Sequence, residues 1–243
     1  QEYLCSFDAA NIGAILARGI SIAERAGRVG DHIDFDPLGA PFDISADIGK
    51  RDSSTWYFWQ PRIGGYHVFD YDGGWGLDAE EWCERLNKKI ELYKLPGGKP
   101  ALGKIWLPHD ARARTFAAKR SALETFVLAF GADHVAITPD SKKTDRINAA
   151  RVLMPRIAFN ESKCARGLDG LRAWSYEYDE ERKIFSSEPR HDWASHDGDG
   201  FSYGCLIMQQ TKPLPKKTPP KFMDQVSLNE VWATQQRDSG RRI

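Results

Sequence analysis

The chain has 243 residues, enough for one large α/β domain or two small ones, and can bury roughly 70% of its unfolded surface. Its 41% apolar, 28% charged and 12% aromatic residues exclude a disordered or fibrous chain. Lys plus Arg total 34 and so do Asp plus Glu, so an anionic partner must be held by local patches rather than by net charge. No apolar run approaches the ~20 residues that span a bilayer, and no secretory signal opens the chain. Gln1 in place of Met leads us to expect a processed or excised piece of something longer.

Cys5, Cys83, Cys164 and Cys205 form no CxxC and no short Cys/His pairing, so they read as reduced thiols in a cytosolic setting and as small core hydrophobes. A zinc site is not expected. Gly97-Gly98-Lys99-Pro100 lacks the spacing and the hydroxyl of a phosphate-binding GxxxxGK[ST] loop, so this chain alone is not expected to hydrolyse ATP.

In chain order, residues 1–40 read as a lead-in with a weak helical pattern over Ala10 to Ala26. The main domain, 41–210, opens on a strand in which Phe42, Ile44, Ala46 and Ile48 alternate with Asp43, Ser45 and Asp47. Thr55 to Gln60 and Tyr66 to Tyr71 follow as two more strands of an antiparallel meander. Asp78 caps a helix whose Trp82, Leu86, Ile90 and Tyr93 share one face. The spacing then predicts a strand over Lys104 to Leu107, a helix from about Ala111 to Phe130 with Gly131 as its C-cap, and a strand over His134 to Thr138. Asp145 to Met154 reads as helix, Arg156 to Asn160 as extended, Ser162 to Tyr178 as helix, and a last helix covers about His196 to Gln209. Residues 211–243 hold four prolines and seven Lys/Arg against three Asp/Glu and read as a basic tail with a short helix near Phe222 to Thr234. This order implies a mixed α/β sheet with helices on both faces, with Phe42 to Ile48 central and Lys104 to Leu107 parallel beside it.

Three acidic features stand out. Asp47 lies in an apolar strand, Asp110 directly follows one, and His191-Asp192, His196-Asp197 and Asp199 cluster at the start of the last helix. Each alone has a plain structural explanation: a polar residue on an exposed face, a helix N-cap, and an acid-rich helix start. Together, on neighbouring strand ends and a helix packed across them, Asp47, Asp110 and Asp199 would meet. Converging carboxylates stay ionised only if cations neutralise them, and hard oxygen donors select Mg²⁺ or Mn²⁺. Two such ions ~3.5–4 Å apart can activate a water and stabilise the leaving oxygen of a phosphodiester.

The segments FDISADIGKRDSSTWYFWQ, IWLPHDARAR and PRHDWASHDGDGFSYG resemble the C-terminal nuclease domain of the large terminase subunit of tailed double-stranded DNA bacteriophages. INAARVLMPRIAFN and CARGLDGLRAWSYEYDEE are similar too, so the likeness covers roughly residues 40–210, and residues 1–30, starting QEYLCSF, resemble the segment leaving that family's ATPase motor. The resemblance implies a ribonuclease H-like fold and a divalent-metal endonuclease that cuts concatemeric viral DNA during genome packaging in the host cell cytoplasm. Asp47, Asp110 and Asp199 match the family's three metal-binding aspartates. Asp197 is either an auxiliary ligand or part of the helix start, and Gly200 stands where the family commonly has Ala. In the expected two-ion arrangement Asp47 is shared and Asp110 and Asp199 each hold one ion.

Arg112, Arg114, Lys119 and Arg120, then Lys142, Lys143, Arg146 and Arg151, are either solvated helix faces or contacts to double-stranded DNA phosphates. The family's small terminase subunit and portal protein are the implied partners. Two alternatives are a docking module for those partners, acting through the basic tail with Phe222 and Trp232, and a resolvase-type nuclease on the same fold.

Overall fold

The computed structural model describes residues 13–49, 52–114, 119–179 and 181–210. The expectations for 211–243, Cys5 and the first part of the lead-in lie outside these residues.

Helix α1 (Ala17–Arg25) leads into strands β1 (Phe42–Asp47), β2 (Ser54–Arg62) and β3 (Gly65–Gly74). Helix α2 (Ala79–Ile90) and strand β4 (Leu102–Leu107) follow, then α3 (Ala122–Phe130), β5 (Val135–Ile137), α4 (Lys143–Leu153) and β6 (Ile157–Phe159). The described chain closes with α5 (Ala165–Ala173), β7 (Tyr176–Asp179), β8 (Ile184–Pro189) and α6 (Ser195–Gln210). Six strands form one sheet in the order β5-β4-β1-β2-β3-β6, and β7 and β8 form a separate hairpin. β1, β2 and β3 pair antiparallel, as the alternation predicts, while β4 runs parallel beside β1 with Ile44 level with Ile105 and Ser45 with Trp106. No helix among the described residues is long and apolar enough to cross a membrane.

The period of two splits the core in two. Ile44, Ala46, Trp56 and Phe58 face α2 and α3, and pack with Trp82, Leu86, Ile90 and Phe126. Tyr57, Trp59, Val68 and Tyr71 face the other way, onto α4, α5 and α6 through Ile147, Leu153, Leu168, Leu171 and Phe201. Each large side chain buried here contributes roughly 1.5–3 kcal/mol, so both layers are held mainly by apolar burial. Residues 14–36 join these layers rather than standing apart: Ile15, Leu16 and Ile20 sit in the second core, and Phe35 packs edge-on against Phe42.

Asp78 caps α2 in a reciprocal box with Glu81, the arrangement its sequence predicts. Two predicted helices are corrected. The helix expected from Ala111 begins only at Ala122, because Ser121 and Glu124 form a second capping box there. His109–Arg112 is a single 3₁₀ turn ending in extended Ala113, so Asp110 does not cap α3. The helix expected to reach Tyr178 stops at Ala173, and Tyr176–Asp179 turns back on β8 as a hairpin through Lys183, whose φ is +54°.

Candidate metal centre

Parallel pairing of β1 with β4 brings Asp47, the last residue of β1, and the turn holding Asp110 to the same sheet edge. Alternation puts Asp47 and Ser45 on the face opposite Ile44 and Ala46, and α6 covers that face. The sheet fixes the position of α6 through three hydroxyls. Thr55, Asp47's partner on β2, donates from Oγ1 to the His196 carbonyl at 3.0 Å. Ser45 Oγ donates to the Gly200 carbonyl at 2.9 Å while accepting from Trp59 Nε1, and Tyr66 donates to the Met208 carbonyl at 2.7 Å. At about 1 kcal/mol each, these bonds contribute register more than bulk stability. Gly200 is explained by the same contact, since a Cβ there would collide with Thr55 Oγ1 and press on the Asp47 amide. This close approach offsets the loss of helix propensity that glycine brings.

His196 Nδ1 lies 3.0 Å from Asp47 Oδ2. Burial pushes the Asp47 carboxyl above the usual carboxylate range, and the negative charges of Asp199 and Asp110 push it further, against the pull of His196. In return the hydrogen bond and charge of the Asp47 carboxylate raise the His196 imidazole above its ordinary value, against the opposing effect of burial. Asp199 sits one helical turn further along α6, ion-paired to Lys143 Nζ at 2.9 Å and to Arg146 at 3.3 Å. The Arg146 guanidinium lies 4.1 Å from the centre of the Tyr203 ring and is 7% exposed.

The donor set fits a hard divalent ion in chemistry and in charge: three carboxylates with no thiol among them, two of them adding to the charge that burdens the third. As placed, no three Asp, Glu, His or Cys side chains among the described residues close around a single point. Lys143 and Arg146 instead supply the positive charge at Asp199.

The remaining predicted site residues divide by position. Asp197 faces α5, away from the sheet edge, where Oδ1 accepts from the Tyr71 hydroxyl at 2.6 Å and Oδ2 is buried with no partner. Arg114 pairs with Glu124. Arg112, Lys119, Arg120 and Lys142 are exposed and form no ion pair among the described residues. Lys119 and Arg120 line a cavity of about 560 Å³ together with Asp110, over Trp56, Trp82 and Phe126. Lys143 and Arg146, which the sequence leaves open between a solvated face and a phosphate contact, are ion-paired to Asp199. No spacing rule reveals that pairing, because Asp199 and Arg146 are 53 residues apart.

Asp197 carries a measurable expectation. Burial raises its carboxyl to about 6, against 3.8 for the free group. The folded state therefore binds this proton more tightly than the unfolded chain does. Its stabilising contribution is present below about pH 4 and is lost as pH rises towards 6, on the order of 3 kcal/mol in all. Asp197→Asn is expected to flatten that slope and to raise the melting temperature at pH 8, as thermal denaturation across pH will show.

No protein-family model matches the sequence, and no curated protein does. Among solved structures, the large terminase of a thermophilic bacteriophage in complex with ADP aligns at a TM-score of 0.59 and 17% identity, covering 82% of this chain and 46% of that one. The same protein with ATP-gamma-S aligns at 0.56 and 18%, covering 79% and 45%. The P22 large terminase nuclease domain aligns at 0.50 and 13%, covering 74% and 89%. The chain thus spans about half the length of the thermophilic phage's protein and most of the P22 domain. With its three-stranded meander, parallel β4 and β5, and helices on both faces, it has the ribonuclease H-like fold seen in the nuclease domain of phage large terminases.

Proposed function

We propose that this chain is a divalent-metal-dependent DNA endonuclease, the part of a phage large terminase that cuts concatemeric viral DNA during genome packaging. The observation that carries the reading is the arrival of Asp47, Asp110 and Asp199 at one sheet edge from three different elements. Asp47, Asp110 and Asp199 would hold two Mg²⁺ or Mn²⁺ ions, Asp47 serving both and Asp110 and Asp199 one each. Such ions, when bound, activate a water and stabilise the leaving oxygen of a phosphodiester. His196 fixes the orientation of the Asp47 carboxylate through Nδ1, and Thr55 fixes His196 through its backbone. Lys143 and Arg146 balance the Asp199 charge, and Lys143 would have to give up its ion pair for Asp199 to hold a divalent ion.

Double-stranded DNA reaches the carboxylates past Arg112, Lys119 and Arg120 beside Asp110, with Lys142 at the head of α4. Contacts of this kind go to phosphates, so cutting shows little sequence preference and falls steeply with salt. Selection of a start site then belongs to a partner: the small terminase subunit, with the portal protein as the second contact, in the host cytoplasm. The test is incubation of supercoiled plasmid with the chain at low salt in Mg²⁺, Mn²⁺ or EDTA. Nicking and linearisation in either ion, absent in EDTA, is the expected result. An intact plasmid in both ions contradicts the reading.

A further inference from the structure

Seven tryptophans lie among the described residues; Trp56, Trp59, Trp82 and Trp174 are buried and Trp106 is half-buried. Trp75 and Trp193 are different, at 70% and 55% exposed. Trp75 is in the turn after β3 and Trp193 in the turn before α6, far apart in sequence, yet both line one cleft of about 350 Å³. Arg166, His191 and His196 line the same cleft, and His196 is the residue bonded to Asp47. Arg166 is exposed and forms no ion pair among the described residues. The negative residues in the cleft are Asp52, which is exposed, and Asp192, whose Oδ1 is taken by the Ala194 amide.

Two exposed indoles, an exposed guanidinium with no ion pair among the described residues and two imidazoles lining one cleft match the two halves of a nucleotide, a flat base and a phosphate. In a duplex the base faces are hidden in the stack, so only an unpaired strand offers them. We propose that the Trp75–Trp193 cleft stacks unpaired bases, so that the strand entering the Asp47 site is DNA locally melted beside the cut. Arg166 and His191 contact its phosphates, and His196 joins the cleft to the carboxylates. The inference rests on the nuclease reading above but concerns binding, so it is tested without metal or cutting.

The full chain in EDTA is titrated against a fluorescein-labelled oligo-dT of about 20 nucleotides and against a duplex of equal length, with fluorescence anisotropy as the readout. Trp75→Ala and Trp193→Ala are each expected to weaken oligo-dT binding by about fivefold to a hundredfold, the range for losing one stacked base. Duplex binding is expected to change by less than about twofold, because its phosphate contacts remain. Trp75→Phe and Trp193→Phe, which keep an aromatic face, are expected to retain most of the affinity. Both tryptophans are exposed, so an unchanged melting temperature certifies the variants. Unchanged oligo-dT binding in the double alanine variant overturns the proposal, and so does an equal loss on both DNAs, which would mark a general DNA or protein surface. A chain that binds oligo-dT through these residues yet cuts no plasmid leaves this inference standing and removes the nuclease reading.

Discussion

Asp47→Asn is expected to lower plasmid cleavage by about a thousandfold or more while leaving the chain folded. Removing a group that merely orients a metal ligand costs about 10- to 100-fold, so if Asp47 is the shared ligand proposed above, removing it must cost more. The variant is neutral and nearly isosteric, and its Nδ2 or Oδ1 can still meet His196. Burial and two neighbouring carboxylates oppose the charge on Asp47 and together outweigh its attraction to His196, so the fold is expected to gain when that charge goes. The melting temperature of Asp47→Asn should therefore equal or exceed that of the parent at pH 8. Loss of cutting with a lowered melting temperature would mean that Asp47 is structural. Cutting at the parental rate would remove it from the site.

The second large effect is expected at Gly198. An added Cβ at this glycine would collide with the Trp174 indole. Trp174, directly after α5, is fully buried in the second core, so it has no room to retreat. Two effects oppose each other in Gly198→Ala. Helix propensity favours alanine by about 1 kcal/mol, while forcing a methyl into a filled core costs about 1–3 kcal/mol or more. Overpacking is expected to prevail here, because the obstacle is a rigid ring. At about 2–4 °C per kcal/mol for a chain of this size, the melting temperature should fall by several degrees. Cleavage should fall with it, since α6 carries both His196 and Asp199. A rise in melting temperature would mean that Trp174 can move and that α6 is not held by this contact.

The sheet and the first half of the site were legible because they depend on local pattern. Alternation along Phe42 to Asp47 marks both the strand and the face on which Asp47 lies, and the meander needs only short turns. Asp78 announces α2 through the Glu81 three residues on. Ser121 and Glu124 carry the same signal, but the apolar residues upstream of them extended the predicted helix across a turn that belongs to the site. The hairpin of β7 and β8 is hidden because Tyr178 continues the helical spacing of Leu168, Leu171 and Trp174; antiparallel pairing of Tyr176 with Pro189 and of Tyr178 with Phe185 decides against it. Side-chain commitments were the least legible. A lysine or arginine at the head of a helix reads equally well as a phosphate contact or as a partner for a carboxylate, and only the packing of α4 against α6 assigns Lys143 and Arg146 to Asp199. Likewise Asp197 and Asp199 look equivalent in sequence, yet being two residues apart turns their side chains about 200° apart on the helix, one into the core and one to the sheet edge.

The most direct test of the whole account is a crystal of the chain soaked in Mn²⁺ and measured for anomalous scattering. Peaks bounded by Asp47, Asp110 and Asp199, with Lys143 displaced from Asp199, are the expected result. Saturating Mn²⁺ that leaves the Lys143–Asp199 pair intact and gives no peak at Asp47 would contradict it.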